Sequence, residues 1–192
     1  IESGSSSLDS FVESIGFMAV TREDDAYLLG GSRLKQARVS IALTRPLLGG
    51  TEIRDWLRDR SHLALCTYLE DGEPSADEAT HRLLWPLKQL LIRRRALSGT
   101  QLEQGLEWWE YSQLHRGRFK ASRLIAFSFV ATHNHFALER SGSLYIRSAP
   151  VIKLPAEATL PEHWGLLGVL NTSTACFWLK QVSHNKGSQG IN

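Results

Sequence analysis

The chain has 192 residues, 42% of them hydrophobic and 22% charged, with a formal net charge of +2. That composition suits a globular protein with one sizeable domain or two small ones, burying roughly 70% of the surface of the unfolded chain. It excludes a disulfide scaffold, because only Cys66 and Cys176 are present, and no apolar run approaches the ~20 residues of a membrane span, so a reducing cytoplasm is the expected location.

The chain opens at Ile1, its only methionine is Met18, and it closes on the polar tail Ser188 to Asn192. We expect a piece of a larger protein: residues 1–14 a linker or cut end, 15–187 a recognition domain divisible into 15–75 and 76–187, and 188–192 a tail. Ile15 to Val20 and Ala26 to Leu29 read as short strands around the acidic turn Arg22-Glu-Asp-Asp25, and Ser32 as the cap of a helix over 33–38. Leu47-Leu-Gly-Gly50 breaks the pattern, and His62 to Tyr68 reads as a buried strand before the surface loop Glu70 to Ser75. Ser75 and Glu78 have capping-box spacing, so a helix should follow, broken near Trp85 by Pro86. Gly99 should end that segment, and 102–111 is either helical or irregular. Leu124 to Val130 and His135 to Glu139 are strong strand signals, and Ser141-Gly142 marks a turn before strands at 144–147 and 149–154. Pro161 to Val182 is helical in pattern, interrupted near Asn171. The expected class is α+β, with a mixed, largely antiparallel sheet and flanking helices.

Charge is unevenly spread. Residues 81–123 carry nine bases (Arg82, Lys88, Arg93, Arg94, Arg95, Arg116, Arg118, Lys120 and Arg123) against three acids. Such a block supplies phosphate contacts or simply solvates a helix face. Trp108-Trp109-Glu-Tyr111, followed by His115-Arg-Gly-Arg118, reads either as bases stacked on aromatics beside a basic loop or as a core anchor beside a solvated one. Thr132-His-Asn-His135 is equally a polar contact loop or an ordinary turn. There is no phosphate-binding glycine loop, no G-x-S-x-G elbow, no ligand set at zinc spacing and no acid–base carboxylate pair, so no catalytic or metal residue is assigned.

The segments Trp109-Glu-Tyr111, Arg123 to Phe127 and Val130 to Phe136 resemble, in that order, the TaqI-like specificity domain that follows the catalytic domain in type IIG restriction–modification enzymes. The resemblance continues through Ala137 to Gly142 and Ser148 to Ile152, and upstream through Arg45 to Trp56 and Leu84 to Leu87. Leu166 to Val182 and His184 to Gly187 are similar to the PglX methyltransferases of BREX phage-defence systems. The resemblance implies the DNA-reading half of an adenine-specific methyltransferase. Its S-adenosylmethionine site and N-P-P-[YF] motif would lie in the parent's catalytic domain, since neither motif occurs here. Double-stranded DNA and that catalytic domain are the implied partners. The alternative is a protein-interaction module that docks a defence-complex subunit or a phage-encoded inhibitor. From charge, polarity and loop position, the expected DNA contacts are Arg93, Arg94, Arg95, Arg116, Arg118, Lys120, His133, Asn134, His135 and Lys186. Arg54, Trp56, Trp85, Asn171, Phe177 and Trp178 are expected to pack the fold.

Overall fold

A computed structural model describes residues 7–54, 56–96 and 99–183. The first strands are β1 (Ser14–Gly16) and β2 (Ala19–Val20), followed by the short helices α1 (Asp24–Tyr27) and α2 (Gly30–Gln36). Next come β3 (Thr44–Leu48), the hairpin β4 (Ile53–Arg54) and β5 (Leu57–Arg58), and β6 (Leu63–Leu65). Helices α3 (Glu78–Leu84) and α4 (Lys88–Ile92) flank a 3-10 turn at Trp85–Leu87. A small hairpin, β7 (Arg95–Ala96) and β8 (Gly99–Thr100), leads through an irregular stretch to β9 (Gln113–Leu114) and α5 (Arg116–Phe119). The chain then forms β10 (Leu124–Phe127), β11 (Phe136–Glu139), β12 (Leu144–Tyr145) and β13 (Val151–Lys153), and finally helices α6 (Leu160–Leu170) and α7 (Ser173–Val182). This is the mixed α+β class expected from the sequence.

The central sheet is antiparallel in the order β1-β13-β10-β11. Strands β10, β11 and β13 are apolar at nearly every position because both faces are covered, and the alternation of side chains sorts them into two cores. Ile125, Phe136, Leu138 and Ile152 point to one side, where Leu167 of α6 joins them with Leu179 of α7 packed alongside. Leu124, Ala126, Ala137 and Val151 point to the other, into the larger core that holds Tyr27, Leu65, Leu84 and Tyr111. A second sheet, β12-β3-β6, borders that larger core and contains the parallel pair β12 and β3, whose register places Leu144 opposite Leu47. Gly50, just after β3, sits where a Cβ would meet the Ser148 carbonyl oxygen at 2.6 Å, so the backbones can close there only around a glycine.

Local chemistry explains where the elements depart from the sequence reading. Ala26 and Tyr27 belong to a helix rather than a strand. Thr21 Oγ1 donates to the Asp24 carboxylate, and Asp24 and Asp25 occupy the first turn, where the helix dipole favours acids. Ser32 lies inside α2 instead of capping it. The cap of α3 is Asp77 rather than Ser75: its carboxylate accepts from Thr80 N at 2.7 Å and from Ser40 N at 3.1 Å, so it also ties α3 to the β3 approach. Pro86 interrupts the helix as expected. The long strand signal from Leu124 stops at Phe127, and Phe129 and Val130 emerge into solvent.

Residues 106–112 form little regular structure, so side chains must satisfy their backbone groups. Arg94, only 5% exposed, does most of this. Its Nε donates to Leu91 O (3.0 Å), one terminal nitrogen to Thr21 O (2.7 Å), and the other to Trp108 O (2.9 Å) and Glu110 O (2.8 Å). Gln101 Nε2 donates to Glu107 O and Glu110 O, the Tyr27 hydroxyl to Trp109 O and Glu110 O, and the Tyr111 hydroxyl to Leu65 O at 2.6 Å. Burial pushes the Tyr27 hydroxyl pKa up to about 12, so it stays a proton donor across the accessible pH range. Arg94→Met should therefore cost about 3–5 kcal/mol of unfolding free energy by urea titration, because it strands several buried carbonyls at once. Arg94→Lys should recover only part of that, since a point-like ammonium cannot span the same carbonyls. A loss below about 1 kcal/mol for the methionine variant would mean that the stretch holds its shape without the guanidinium.

Candidate nucleic-acid interface

An open cleft of about 680 Å³ lies between the 128–135 loop, the α6–α7 junction and the tip of the β4–β5 hairpin. It is lined by Trp56, His133, Asn134, His135, Asn171, Ser173, Cys176, Phe177 and Lys180. Three of the residues expected to contact DNA, His133, Asn134 and His135, thus converge on one surface, together with a lysine. None of the described lining side chains is acidic, so these side chains do not repel an anionic ligand.

Two asparagines hold this cleft open. Asn171, in the break between α6 and α7, accepts from Phe136 N at 3.1 Å and donates to Phe136 O at 2.9 Å, imitating a neighbouring strand at the end of β11. Asn134 reaches the other way, donating to Leu170 O at 2.5 Å and Thr172 O at 3.1 Å. The packing role expected of Asn171 is what the structure shows. Asn134 has its amide nitrogen committed to the helix junction, which leaves its carbonyl oxygen as the group best placed for a ligand.

The opposite wall is the β4–β5 hairpin. Arg54 stays structural, donating to Gly50 O at 2.5 Å and Ile53 O at 2.6 Å. Arg58 lies 2.8 Å from the Glu139 carboxylate, an ion pair that fastens the hairpin to β11. Glu139 is buried and also accepts from the Tyr145 hydroxyl at 2.5 Å, from Ser141 N and from Ser141 Oγ at 2.8 Å. Burial alone would raise its pKa. The Tyr145 and Ser141 hydrogen bonds and the Arg58 charge outweigh burial and hold it down to about 2. At the tip, Trp56 has a φ of +72° and is 49% exposed. Phe177 and Trp178 are largely exposed and Trp56 about half exposed, which corrects the packing role expected of them, whereas Trp85 packs edge-on against the buried Trp108 ring at 6.3 Å.

The remaining expected contacts scatter. Arg94 leaves the set, because its guanidinium is buried and spent on backbone carbonyls. The aromatic run beside it is a core anchor, with Trp108, Trp109 and Tyr111 buried, so the stacking reading of that run falls. Arg118 donates to Phe17 O at 2.9 Å and Ile15 O at 3.0 Å, holding the turn between β1 and β2. Arg116 is exposed and pairs with Glu73 at 3.2 Å. Arg116 and Arg118 line a second, smaller hollow with Glu13, His115 and Lys153. Arg93, Arg95 and Lys120 are exposed on the surface, and Lys186 lies outside the described residues. Sequence reasoning missed Lys180, which sits on the α7 face toward the cleft; an isolated helical lysine carries no signal of its own.

No family model matches the chain. Over 181 residues it is 38% identical to the adenine-specific methyltransferase PglX of Streptomyces coelicolor, a match that covers 92% of this chain and 15% of PglX. The chain is homologous to one segment of PglX. Its fold is that of a segment of the type IIL restriction–modification enzyme MmeI, solved in complex with DNA: the TM-score is 0.64 over 90% of this chain and 22% of MmeI, at 13% identity. The chain thus spans about 15% of the length of PglX. The α6–α7 pair forms one wall of the cleft.

The Glu139 network makes the hairpin wall pH-sensitive in a defined direction. Its carboxyl is depressed from an ordinary 4.5 to about 2, so the stabilisation is complete above about pH 5 and fades as pH falls toward 2. Glu139→Gln should cost about 2–3 kcal/mol at pH 7, and the gap from the unaltered chain should narrow at pH 3 in paired urea titrations. An equal gap at both pH values would show that the charge on Glu139 does not stabilise the fold.

Proposed function

We propose that this chain is the sequence-reading module of an adenine-specific, S-adenosylmethionine-dependent DNA methyltransferase that works in a BREX-like or restriction–modification phage defence. The observation that carries the reading is the 38% identity to a segment of PglX across 92% of the chain. The MmeI-like fold and a cleft lined by histidines, asparagines, aromatics and a lysine support it.

In this reading the exposed cations Arg93, Arg95, Arg116 and Lys120 grip phosphates and set register, while the cleft faces base edges. Direct hydrogen bonds from the His133–His135 loop would each discriminate by about 1–3 kcal/mol. The parent's catalytic domain, where S-adenosylmethionine supplies the methyl group, acts on an adenine swung out of the duplex. The chain's own share is to choose where that happens.

A second reading also has an observation behind it. The α6–α7 pair leaves Trp164, Val169, Phe177, Trp178 and Val182 exposed, which suits docking of another protein, such as a defence-complex subunit or a phage-encoded inhibitor. Salt separates the two. If ~5 phosphates are neutralised, log K against log salt should have a slope of roughly −4.5, and affinity for a duplex should fall about 500-fold between 50 and 200 mM salt. Fluorescence anisotropy with labelled duplexes of random sequence measures this directly. Absent or salt-independent binding would sink the DNA reading and favour the docking one.

A further inference from the structure

The β4–β5 hairpin closes through a two-residue link, with Arg54 and Leu57 as the last facing pair. Links of this length favour residues that tolerate positive φ, above all glycine and asparagine. Here the second position is Trp56, at φ +72°. Among the described residues only Arg22 and Arg38 share that condition without being glycine. A bulky aromatic in the left-handed region is strained, and strain of this kind concentrates at working positions.

Packing does not repay the strain, because Trp56 is 49% exposed and its neighbour Leu57 is 73% exposed. The base of the hairpin, in contrast, is secured. Ile53 is fully buried, Asp59 N donates to Glu52 O at 2.8 Å, and Arg58 pairs with Glu139. A large flat side chain is thus held out on a fixed support. It faces a cleft whose other walls carry His133, Asn134, His135, Phe177 and Lys180. Among the described lining residues, an aromatic face, a second aromatic, hydrogen-bonding side chains and one cation match a nucleobase with its flanking phosphate.

We propose that Trp56 is an aromatic probe that stacks on a nucleobase at a step opened in the bound duplex. This rests on the DNA reading above and adds to it a specific base-contacting residue. Opening the step costs unstacking, which stacking on the indole offsets, so sequences with easily unstacked steps would be preferred.

The test compares the full chain with Trp56→Gly and Trp56→Phe, measuring thermal stability and duplex binding across the same salt series. Glycine relieves the strained φ, so Trp56→Gly should melt about 2–4 °C higher while binding roughly 10- to 100-fold more weakly. Its salt slope should match that of the unaltered chain, because no phosphate contact is lost. Trp56→Phe should keep most of the affinity. Equal binding by Trp56→Gly, or a fall in its melting temperature, would overturn the role given to Trp56. Failure of the unaltered chain to bind any duplex would instead sink the DNA reading itself.

Discussion

The guanidinium of Arg94 is the interaction on which the larger core depends. Four carbonyls from three separate stretches, at Thr21, at Leu91 and at Trp108 and Glu110, converge on one side chain. A buried charge is costly to desolvate, and only a dense set of acceptors makes it tolerable. That cost is accepted because residues 106–112 must cross the core without strand or helix to satisfy their polar groups. The planar fork of an arginine can serve acceptors in several directions at once. With that crossing fixed, Tyr111 can pack edge-on against Tyr27 at 4.9 Å and close the space between α1 and β6.

The cleft depends on a second economy of the same kind. The central sheet ends at β11, whose outer edge would expose unpaired backbone groups. Asn171 pairs with Phe136 there as a strand residue would, and it can do so only because the chain is broken between α6 and α7. The break that interrupts the helical pattern is therefore also what seals the sheet edge. Farther along the same strand, Glu139 turns into the larger core and holds the β4–β5 hairpin through Arg58. One strand thus positions both walls of the cleft, the loop and helix junction at its start and the hairpin at its end.

Much of the fold was legible because it is local. The runs Leu124 to Phe127 and Phe136 to Glu139 are apolar at consecutive positions, as strands covered on both faces must be. Pro86 and the Asn171 break signal themselves by backbone chemistry. What was not legible is long-range: the parallel pairing of β3 with β12, the close approach of Gly50 to Ser148, and the hairpin at 53–58, whose turn lacks any glycine or asparagine. The candidate site divides along the same line. The polar loop His133 to His135 was recognisable from residue type, whereas Trp56 and Lys180 belong to it only through tertiary folding.

Arginine and tryptophan mislead when read from sequence because one chemistry serves two purposes. A flat cation beside aromatic rings is as useful inside a core, where it satisfies carbonyls, as on a surface, where it would meet phosphates and bases. The run Arg93-Arg94-Arg95 divides on this point: its flanking members are exposed while the middle one is buried. The tryptophans divide in the same way, Trp108 and Trp109 inward and Trp56 outward. What separates the two classes is the backbone beneath them. Trp108 and Trp109 lie in a stretch whose carbonyls need partners, so the chain is drawn inward around them. Trp56 sits on a tight turn with a positive φ, anchored at its base, where its indole forms one wall of the cleft and stays 49% exposed. Among the described residues, the β4–β5 tip is where an aromatic is held most plainly at the surface under a positive φ.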